Sequence, residues 1–546
     1  MIDTEMYQIM RELVEIKSVN GTAGEREIGI FLEDCLREIP YFRDHPEQVI
    51  VRELKGDPLH RRNVMALLIG EGEWNPRTIL LHGHTDTVGT EDYGALEPLA
   101  CRPDELMDAL RQMRLPVQVR CDLESGEYLF GRGTCDMKSG DAVFLGILKE
   151  MAARPEAYCG NVLLSFNPVE ENLHTGIIEG LEILEELKEK YGLEYILAVN
   201  NDFICPLFPG DKEKTIYTGT VGKLLPCFYI QGRDTHVGQC FEGFDASLAA
   251  AGLAGKIGLN SEFSDAWEGE YTYPPSVLKL KDLKPWYNVQ TPAEALVYFN
   301  YFVHNASMEE ITETLLEAAR EVMEQTQERN NRMSRIFCER SGQRHTDYAY
   351  PYQVMTWHEL WEKAKACGAV EEELEQILAE EKEKGTDQRE IPVPMIRRLL
   401  QDAGITEPAV VLYYAAPYCP HNTLQEEEGA IVKNLKQIVE RVAEQTGEEF
   451  RFMHFFPSLS DSSYLKIDDS DQSLAMLVEN FPAMKTLYPL PLERIRRLNI
   501  PAVNFGCYGK DAHKWTERVN LPYTFEVLPQ LLRETIACYL ERKEKE

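Results

Sequence analysis

The segment ILLHGHTDTV, residues 79–88, is the most informative stretch of the chain. Its apolar run ends at an imidazole and a carboxylate two positions apart, His84 and Asp86. Because side chains alternate between the two faces of a strand, these two can point to the same side of a sheet. A carboxylate placed in this way can hold one ring nitrogen of a histidine while the other nitrogen binds a metal ion. A His-x-Asp spacing is common by chance, so its meaning depends on further ligands elsewhere in the chain.

Short apolar runs alternate with helical periodicity in the residues around this segment. The runs lie near 62–69, 78–82, 127–130, 161–166 and 195–199, and the helical stretches near 3–17, 23–38, 138–153 and 175–190. Strands and helices that alternate in this way predict an α/β sheet with helices on both faces.

The pattern changes after about residue 215 and returns at about 424. Between these points the sequence predicts strands, a helix, further strands, an amphipathic helix at 307–328 and a charged helical insertion near 355–405. We therefore predict one α/β domain, formed by 1–214 and 423–546, that is interrupted by an inserted domain at 215–422.

Length and charge narrow the class of protein. A chain of 546 residues with 44% hydrophobic content can bury a large core and should contain at least two domains. Its 91 acidic and 57 basic residues give a net charge of -34. Nucleic acids and anionic membranes attract basic surfaces, so neither is expected as the main partner.

Cysteine usage and the first residues bear on location. The 13 cysteines are scattered without a CxxC pair, which is typical of reduced thiols in a cytoplasmic protein. Residues 1–20 contain acids and helical periodicity rather than a basic stretch followed by an apolar core, so they do not form a signal peptide. No uncharged apolar run is long enough to cross a bilayer. These features predict a cytoplasmic protein.

Histidines and carboxylates follow several of the predicted strands. They are His84, Asp136, the pair Glu170–Glu171, Asp202 and His513. Ligands of an open α/β sheet bind beyond the carboxyl ends of its strands. Mixed imidazole and carboxylate ligands suit zinc, and also manganese or cobalt, and a shared aspartate can bridge two ions. Each residue alone could be a helix cap or a solvated turn, and the glutamate pair could face a helix dipole. Their recurrence at one sheet edge favours a metal site.

A set of longer motifs surrounds these residues. The motifs are GHTDTV (83–88), GRGTCDMKSG (131–140), VEE (169–171), GRDTHVG (232–238), the Ser-Asp pair at 460–461 and the segment 513–517. Together they resemble the M20 family of metallopeptidases and amidohydrolases, and the length and wording are most similar to its RocB-type arginine-utilisation branch. The resemblance implies a zinc-peptidase-like catalytic domain with a mixed sheet, and an inserted α+β lid of the dimerisation type.

The resemblance also implies roles for individual residues. His84 and Asp202 would bind one divalent ion, Glu171 and His513 a second, and Asp136 would bridge the two. Asp86 would orient His84, and Glu170 would be the general base that takes a proton from a metal-bridging water. The lid residue His236 would stabilise the oxyanion, while Asn288 and Asp461 would bind substrate or support its site.

One position departs from the family pattern. A lid strand of the family usually carries an arginine that grips a substrate carboxylate, but Phe302 stands there in this chain. The leading hypothesis is a metal-dependent hydrolase that cleaves an amide or peptide bond in a small cytosolic substrate, with a possible link to arginine or amino-acid catabolism. The alternative is a catalytically retired relative that serves as a binding or regulatory module. Both a monomer and a homodimer are compatible with the sequence, so His236 could act in its own chain or in a partner.

Overall fold

A computed structural model of the protein describes residues 2–458 and 460–541, except for the side chain of Glu426. The strands are β1 (Val49–Glu53), β2 (Arg62–Ile69), β3 (Arg77–His84), β4 (Tyr128–Phe130), β5 (Asn161–Asn167), β6 (Glu194–Asn200), β7 (Lys214–Tyr217), β8 (Gly219–Thr220), β9 (Gly222–Leu224), β10 (Pro226–Gln231), β11 (Ala266–Trp267), β12 (Glu270–Tyr271), β13 (Ser276–Asp282), β14 (Glu294–Val303), β15 (Gln353–Thr356), β16 (Ala409–Tyr414), β17 (Asn422–Thr423), β18 (Phe450–Met453), β19 (Ala502–Asn504), β20 (Gly509–Lys510) and β21 (Arg518–Asn520).

The α-helices are α1 (Thr4–Glu15), α2 (Gly24–Glu38), α3 (Pro40–Asp44), α4 (Pro103–Arg111), α5 (Val117–Ser125), α6 (Lys138–Ala152), α7 (Thr175–Tyr191), α8 (Ala246–Ile257), α9 (Met308–Ser341), α10 (Trp357–Ala366), α11 (Glu371–Glu383), α12 (Pro392–Asp402), α13 (Gly429–Thr446), α14 (Asp471–Glu479), α15 (Met484–Leu487), α16 (Leu492–Leu498) and α17 (Leu528–Leu540).

These elements form two compact units. Unit 1 comprises the described residues of 1–220, 420–468 and 491–546, and unit 2 comprises 221–419 and 469–490. The chain therefore leaves unit 1 once for a long excursion and once more for a short one. The short excursion, 469–490, lies within the stretch that the sequence alone places with 423–546. Its Asn480 accepts a hydrogen bond from the backbone N–H of Tyr414 at 2.8 Å and another from His358 at 3.0 Å.

The centre of unit 1 is an eight-stranded mixed sheet with the order β1-β2-β5-β3-β6-β19-β7-β18. Strand β3 lies parallel to β5 on one side and to β6 on the other, whereas β2 is antiparallel to β5. A strand that is buried on both faces has a continuous run of apolar residues. This explains the Ile-Leu-Leu run at 79–81, which precedes the polar end of β3. The predicted α/β class with a mixed sheet is confirmed.

Helices cover both faces of this sheet. Alternate residues of β2, among them Ala66 and Leu68, belong to the core that α1, α6 and α17 share. On the opposite face, the methyl group of Met65 lies 3.3 Å from where a side chain on Gly180 of α7 would begin. Strands β20, β21 and β4 form a separate three-stranded sheet in the same unit.

Unit 2 is built on a second sheet with the order β13-β14-β10-β16-β15, to which β9 adds by pairing with β14. Helices α10, α11 and α12 pack their apolar side chains on β15 and β16. The long helix α9 begins at a capping box in which Ser307 and Glu310 satisfy each other's backbone N–H groups. It continues to Ser341, beyond the predicted end at 328.

Two further features are relevant to the expected location: the absence of a membrane-spanning helix among the described residues, and the state of the cysteines. Among residues 2–458 and 460–541, no helix combines the length and apolar character required to span a bilayer. All 13 cysteines are free thiols.

Candidate metal centre

His84 is the last residue of β3, and its side chain is buried. Its ring nitrogen Nδ1 lies 3.1 Å from the backbone carbonyl oxygen of Asp86 and 3.7 Å from the Asp86 carboxylate. The other nitrogen, Nε2, lies 3.0 Å from Oδ1 of Asp136. The partners of Nδ1 therefore fix the ring so that Nε2 faces the other acidic residues.

Asp136 lies at the centre of the candidate site. It is 6% exposed and sits in the turn between β4 and α6. Whereas Oδ1 faces His84, Oδ2 lies 3.0 Å from Nε2 of His513. One carboxylate thus contacts two histidines through different oxygens, which is the arrangement expected of a residue that bridges two metal ions.

Two groups of potential ligands share this aspartate. In each group, one ligand atom per residue lies within 4.8 Å of the others; the first group is His84, Asp136 and Asp202, and the second is Asp136, Glu171 and His513. Asp202 is buried and follows β6 after a single residue. Oε1 of Glu171 lies 3.1 Å from Nε2 of His513. All five residues predicted as ligands are therefore brought together.

The ligands reach this place from two sheets rather than one. His84 ends β3, and Glu171 and Asp202 follow β5 and β6; these three strands lie parallel in the eight-stranded sheet. Asp136 and His513 lie in loops next to β4 and β20, which belong to the three-stranded sheet. The expectation that all five lie at the same sheet edge is wrong for these two, because an apolar run predicts a strand without predicting which strands pair with it.

The electrostatics of the five residues fit divalent cations. Burial, together with the nearby Asp136, raises the pKa of Asp202 to about 8. Burial lowers the pKa of His513, but hydrogen bonds to Asp136 and Glu171 outweigh it and raise that pKa to about 11. Carboxylates crowded in a buried place repel one another, and bound cations would relieve this repulsion. Imidazole nitrogens and carboxylate oxygens are ligands that zinc accepts, as do manganese and cobalt.

Asp86 contacts the backbone of the two glutamates as well as His84. Its fully buried carboxylate accepts hydrogen bonds from the backbone N–H groups of Glu170 at 3.0 Å and Glu171 at 3.1 Å. The side-chain amide of Asn20 donates a third, at 2.9 Å. Asp86 therefore joins the end of β3 to the turn that carries the two glutamates.

Glu517 supports the candidate site, although no role for it is expected from the sequence. Its buried carboxylate accepts hydrogen bonds from the backbone N–H groups of Cys135 at 3.1 Å and Asp136 at 3.3 Å. Arg132 donates to the same carboxylate at 2.6 Å. Glu517 thus holds the turn that presents Asp136. The motif at 513–517 includes Glu517, but its partner Arg132 lies 385 positions away in the sequence, so the motif alone does not indicate this contact.

Glu170, the predicted base, is 8% exposed and belongs to neither ligand group around Asp136. Asp461 is 2% exposed, so its carboxylate faces the protein interior rather than a surface open to substrate. Its oxygens lie 3.1 Å from Nδ1 of His174 and 3.3 Å from the side-chain amide nitrogen of Asn167. These contacts favour support of the site over direct contact with substrate.

Three other residues singled out from the sequence lie in unit 2. Nδ1 of the exposed His236 accepts a hydrogen bond from the backbone N–H of Gly238 at 3.0 Å. Asn288 is exposed, and its side chain pairs with Gln290 at 3.1 and 3.2 Å. Phe302 lies on β14, with Lys223 of β9 as its cross-strand neighbour.

Gly506 offers a test of how closely the Asp202 ligand is held. A Cβ atom at this position would lie 1.7 Å from the backbone carbonyl oxygen of Asp202. Gly506→Ala should therefore displace the end of β6, lower the free energy of unfolding by about 1–3 kcal/mol and weaken metal binding. Denaturant unfolding and metal titration measure the two effects. Gly255→Ala is the control, because nothing lies within 4 Å of that Cβ position. Equal behaviour of the two variants would contradict the prediction.

The fold and the site together define an α/β protein with two groups of potential metal ligands that share one aspartate. The model of the family described as Peptidase family M20/M25/M40 matches residues 80–467. The chain therefore belongs to this family of peptidases, and the resemblance inferred from the motifs is confirmed. It is accordingly a hydrolase of the metallopeptidase class.

Individual relatives agree with the family assignment. The chain is 36% identical to protein RocB of Bacillus subtilis, with 97% of this chain and 94% of RocB covered. It is 33% identical to the uncharacterized protein YqjN of the same organism, with 99% and 97% covered. A solved tripeptidase structure from Staphylococcus aureus matches with a TM-score of 0.53 at 15% identity, covering 99% of both chains. This last likeness concerns the fold.

Proposed function

We propose that this protein uses two divalent metal ions, of which zinc is our first choice, to hydrolyse an amide or peptide bond in a small substrate. The observation that carries the proposal is the contact of one carboxylate, Asp136, with both His84 and His513 at 3.0 Å. His84 and Asp202 would hold one ion, Glu171 and His513 the other, and Asp136 both. When bound, such ions would supply Lewis-acid chemistry, which polarises a scissile carbonyl and lowers the pKa of a bound water.

Glu170 is proposed as the general base. It lies next to the ligand Glu171, and its backbone is fixed by Asp86, so its carboxylate stays close to the ligands without belonging to either ligand group. Burial raises the pKa of Glu170 well above its usual range. A carboxyl with a raised pKa takes up a proton readily and can pass it to the leaving amine.

His236 is proposed to stabilise the oxyanion. Because its Nδ1 accepts the N–H of Gly238, the proton of the neutral ring is on Nε2. An exposed imidazole in this tautomer offers one N–H donor, which is what an oxyanion needs. His236→Asn would keep a donor but shorten its reach.

The proposed substrates are dipeptides and N-acyl amino acids of amino-acid catabolism, including arginine derivatives. The resemblance to the arginine-utilisation branch and the 36% identity to RocB support this choice. Phe302 in place of the usual arginine indicates that the substrate group at this position is not a carboxylate held by a bidentate fork. The free thiols of all 13 cysteines support a cytoplasmic location.

The test is to purify the protein, count its bound metal and measure hydrolysis after loading with zinc, manganese or cobalt. We expect about two ions per chain and turnover of at least one dipeptide or N-acyl amino acid. Paired substrates that differ only in an arginyl or a norleucyl side chain test the arginine link. Fewer than about one ion per chain without turnover would contradict the enzyme proposal and favour a binding role.

A further inference from the structure

A buried histidine lies beside the proposed base and has no role in the reaction described so far. His174 precedes α7 and is 1% exposed. Its Nδ1 lies 3.8 Å from Oε1 of Glu170 and 3.1 Å from Oδ1 of Asp461. Since an ionised carboxylate only accepts hydrogen bonds, the closer contact places the proton of Nδ1 toward Asp461. Asp461 therefore determines how the imidazole faces Glu170.

The backbone of the same turn supports a special role. Val169 and His174 both have positive φ angles, 70° and 54°, which residues with a Cβ rarely adopt. The N–H of His174 donates to the carbonyl oxygen of Val169 at 2.9 Å and closes the turn around the two glutamates. Strained backbone of this kind persists only where its surroundings hold it, and it is concentrated at functional sites.

Asp461 is itself held on its other side. Its Oδ2 accepts a hydrogen bond from the side-chain amide of Asn167, the last residue of β5, at 3.3 Å. The path from the sheet to Glu170 thus runs through Asn167, Asp461 and His174. Each of these three residues is at most 2% exposed, so water competes little with the contacts along the path.

We infer that His174, oriented by Asp461, is a positioning residue that holds the carboxylate of Glu170 for proton transfer. The inference rests on the proposed function of Glu170 as the base. A glutamate side chain has several rotamers, and a base must lie within hydrogen-bond reach of the proton that it takes. The rotamers open to Glu170 are restricted from two sides. The imidazole of His174 lies against its carboxylate, and Asp86 holds its backbone N–H.

Glu170, His174 and Asp461 also lie close enough to be a third group of potential metal ligands. Positioning is the better explanation, because a protonated Nδ1 that donates to Asp461 cannot at the same time bind a cation. A third ion that is lost in a His174 variant would overturn the inference.

A double-mutant cycle tests the inference, with His174→Leu, Glu170→Gln and the combined variant compared with the native protein. We expect His174→Leu, which has no donor, to lower kcat by about 10–100-fold, with KM and metal content nearly unchanged. In the Glu170→Gln background, the same change should lower kcat by less than about twofold, because a positioning residue has nothing left to position. His174→Asn, whose amide nitrogen lies near the position of Nδ1 and keeps a donor, should recover part of the loss.

Two controls keep the outcomes distinct. Tyr195→Phe removes a buried hydrogen bond of 2.9 Å to Leu184 elsewhere in unit 1, and should leave kcat unchanged. If His174→Leu is insoluble, Asp461→Asn must give a similar loss of kcat, and that loss must disappear in the Glu170→Gln background. Equal losses in both backgrounds, or loss of metal, would overturn the positioning role alone. Near-native turnover by Glu170→Gln would overturn the proposed base and the positioning role together.

Discussion

Glu170→Gln should retain its bound metal while kcat falls by about 10²–10⁴-fold. Glutamine has nearly the same volume and keeps the backbone N–H that donates to Asp86 at 3.0 Å, so the turn should remain intact. Its amide, however, cannot take up a proton from water. The expected result is an inactive protein with a normal metal content, measured by elemental analysis and by hydrolysis of the best substrate under saturating conditions.

The neighbouring glutamate provides a matched control. Glu171→Gln is the same chemical change one position further along, but Glu171 belongs to a ligand group and lies 3.1 Å from His513. We expect this variant to lose metal as well as activity. If Glu170→Gln lost metal to the same extent, Glu170 would be a ligand, and the division of labour between the two glutamates would be wrong.

The candidate ligands could be selected from the sequence because each belongs to a short local motif. His84 ends an apolar strand, and Glu171 follows another, so both could be placed at the end of a parallel sheet from hydrophobic pattern alone. The α/β class could be predicted for the same reason. These are properties of stretches of ten residues or fewer, in which composition and periodicity decide the local structure.

Contacts between distant parts of the chain could not be predicted in this way. Asp136 reaches the site from the three-stranded sheet because β4 pairs with β21, and Glu517 holds the Asp136 turn across 381 positions. His174 and Asp461 meet across 287 positions. No pattern within either segment reports its partner, since pairing depends on how whole strands pack. Of the supporting residues, Asp86 and Asp461 could be named from the sequence, whereas the contacts of Glu517 and His174 required the structure.

Asp136→Ala should lose both metal ions, whereas His513→Ala should retain about one per chain. The reason is that Asp136 contacts both histidines at 3.0 Å, while His513 belongs to only one ligand group. Without Asp136, two imidazoles and two carboxylates remain, but no side chain is common to both ions. The variant should also lose turnover by about 10³-fold or more, because neither carbonyl polarisation nor water activation remains.

Metal content in these two variants should be measured at pH 8 and again at pH 6, because binding competes with protons. In the metal-free protein, burial lowers the pKa of His513, but hydrogen bonds to Asp136 and Glu171 outweigh it and raise that pKa to about 11. Burial raises the pKa of Asp202 to about 8. Both groups must lose a proton to bind a cation, so affinity of the native protein should rise with pH across this interval. In Asp136→Ala, His513 loses one of its two acidic partners, so its pKa should fall and protons should compete less with the metal for its ring nitrogen. Two ions per chain in Asp136→Ala at pH 8 would contradict the bridging role, since two independent sites would then hold the metal without a shared ligand.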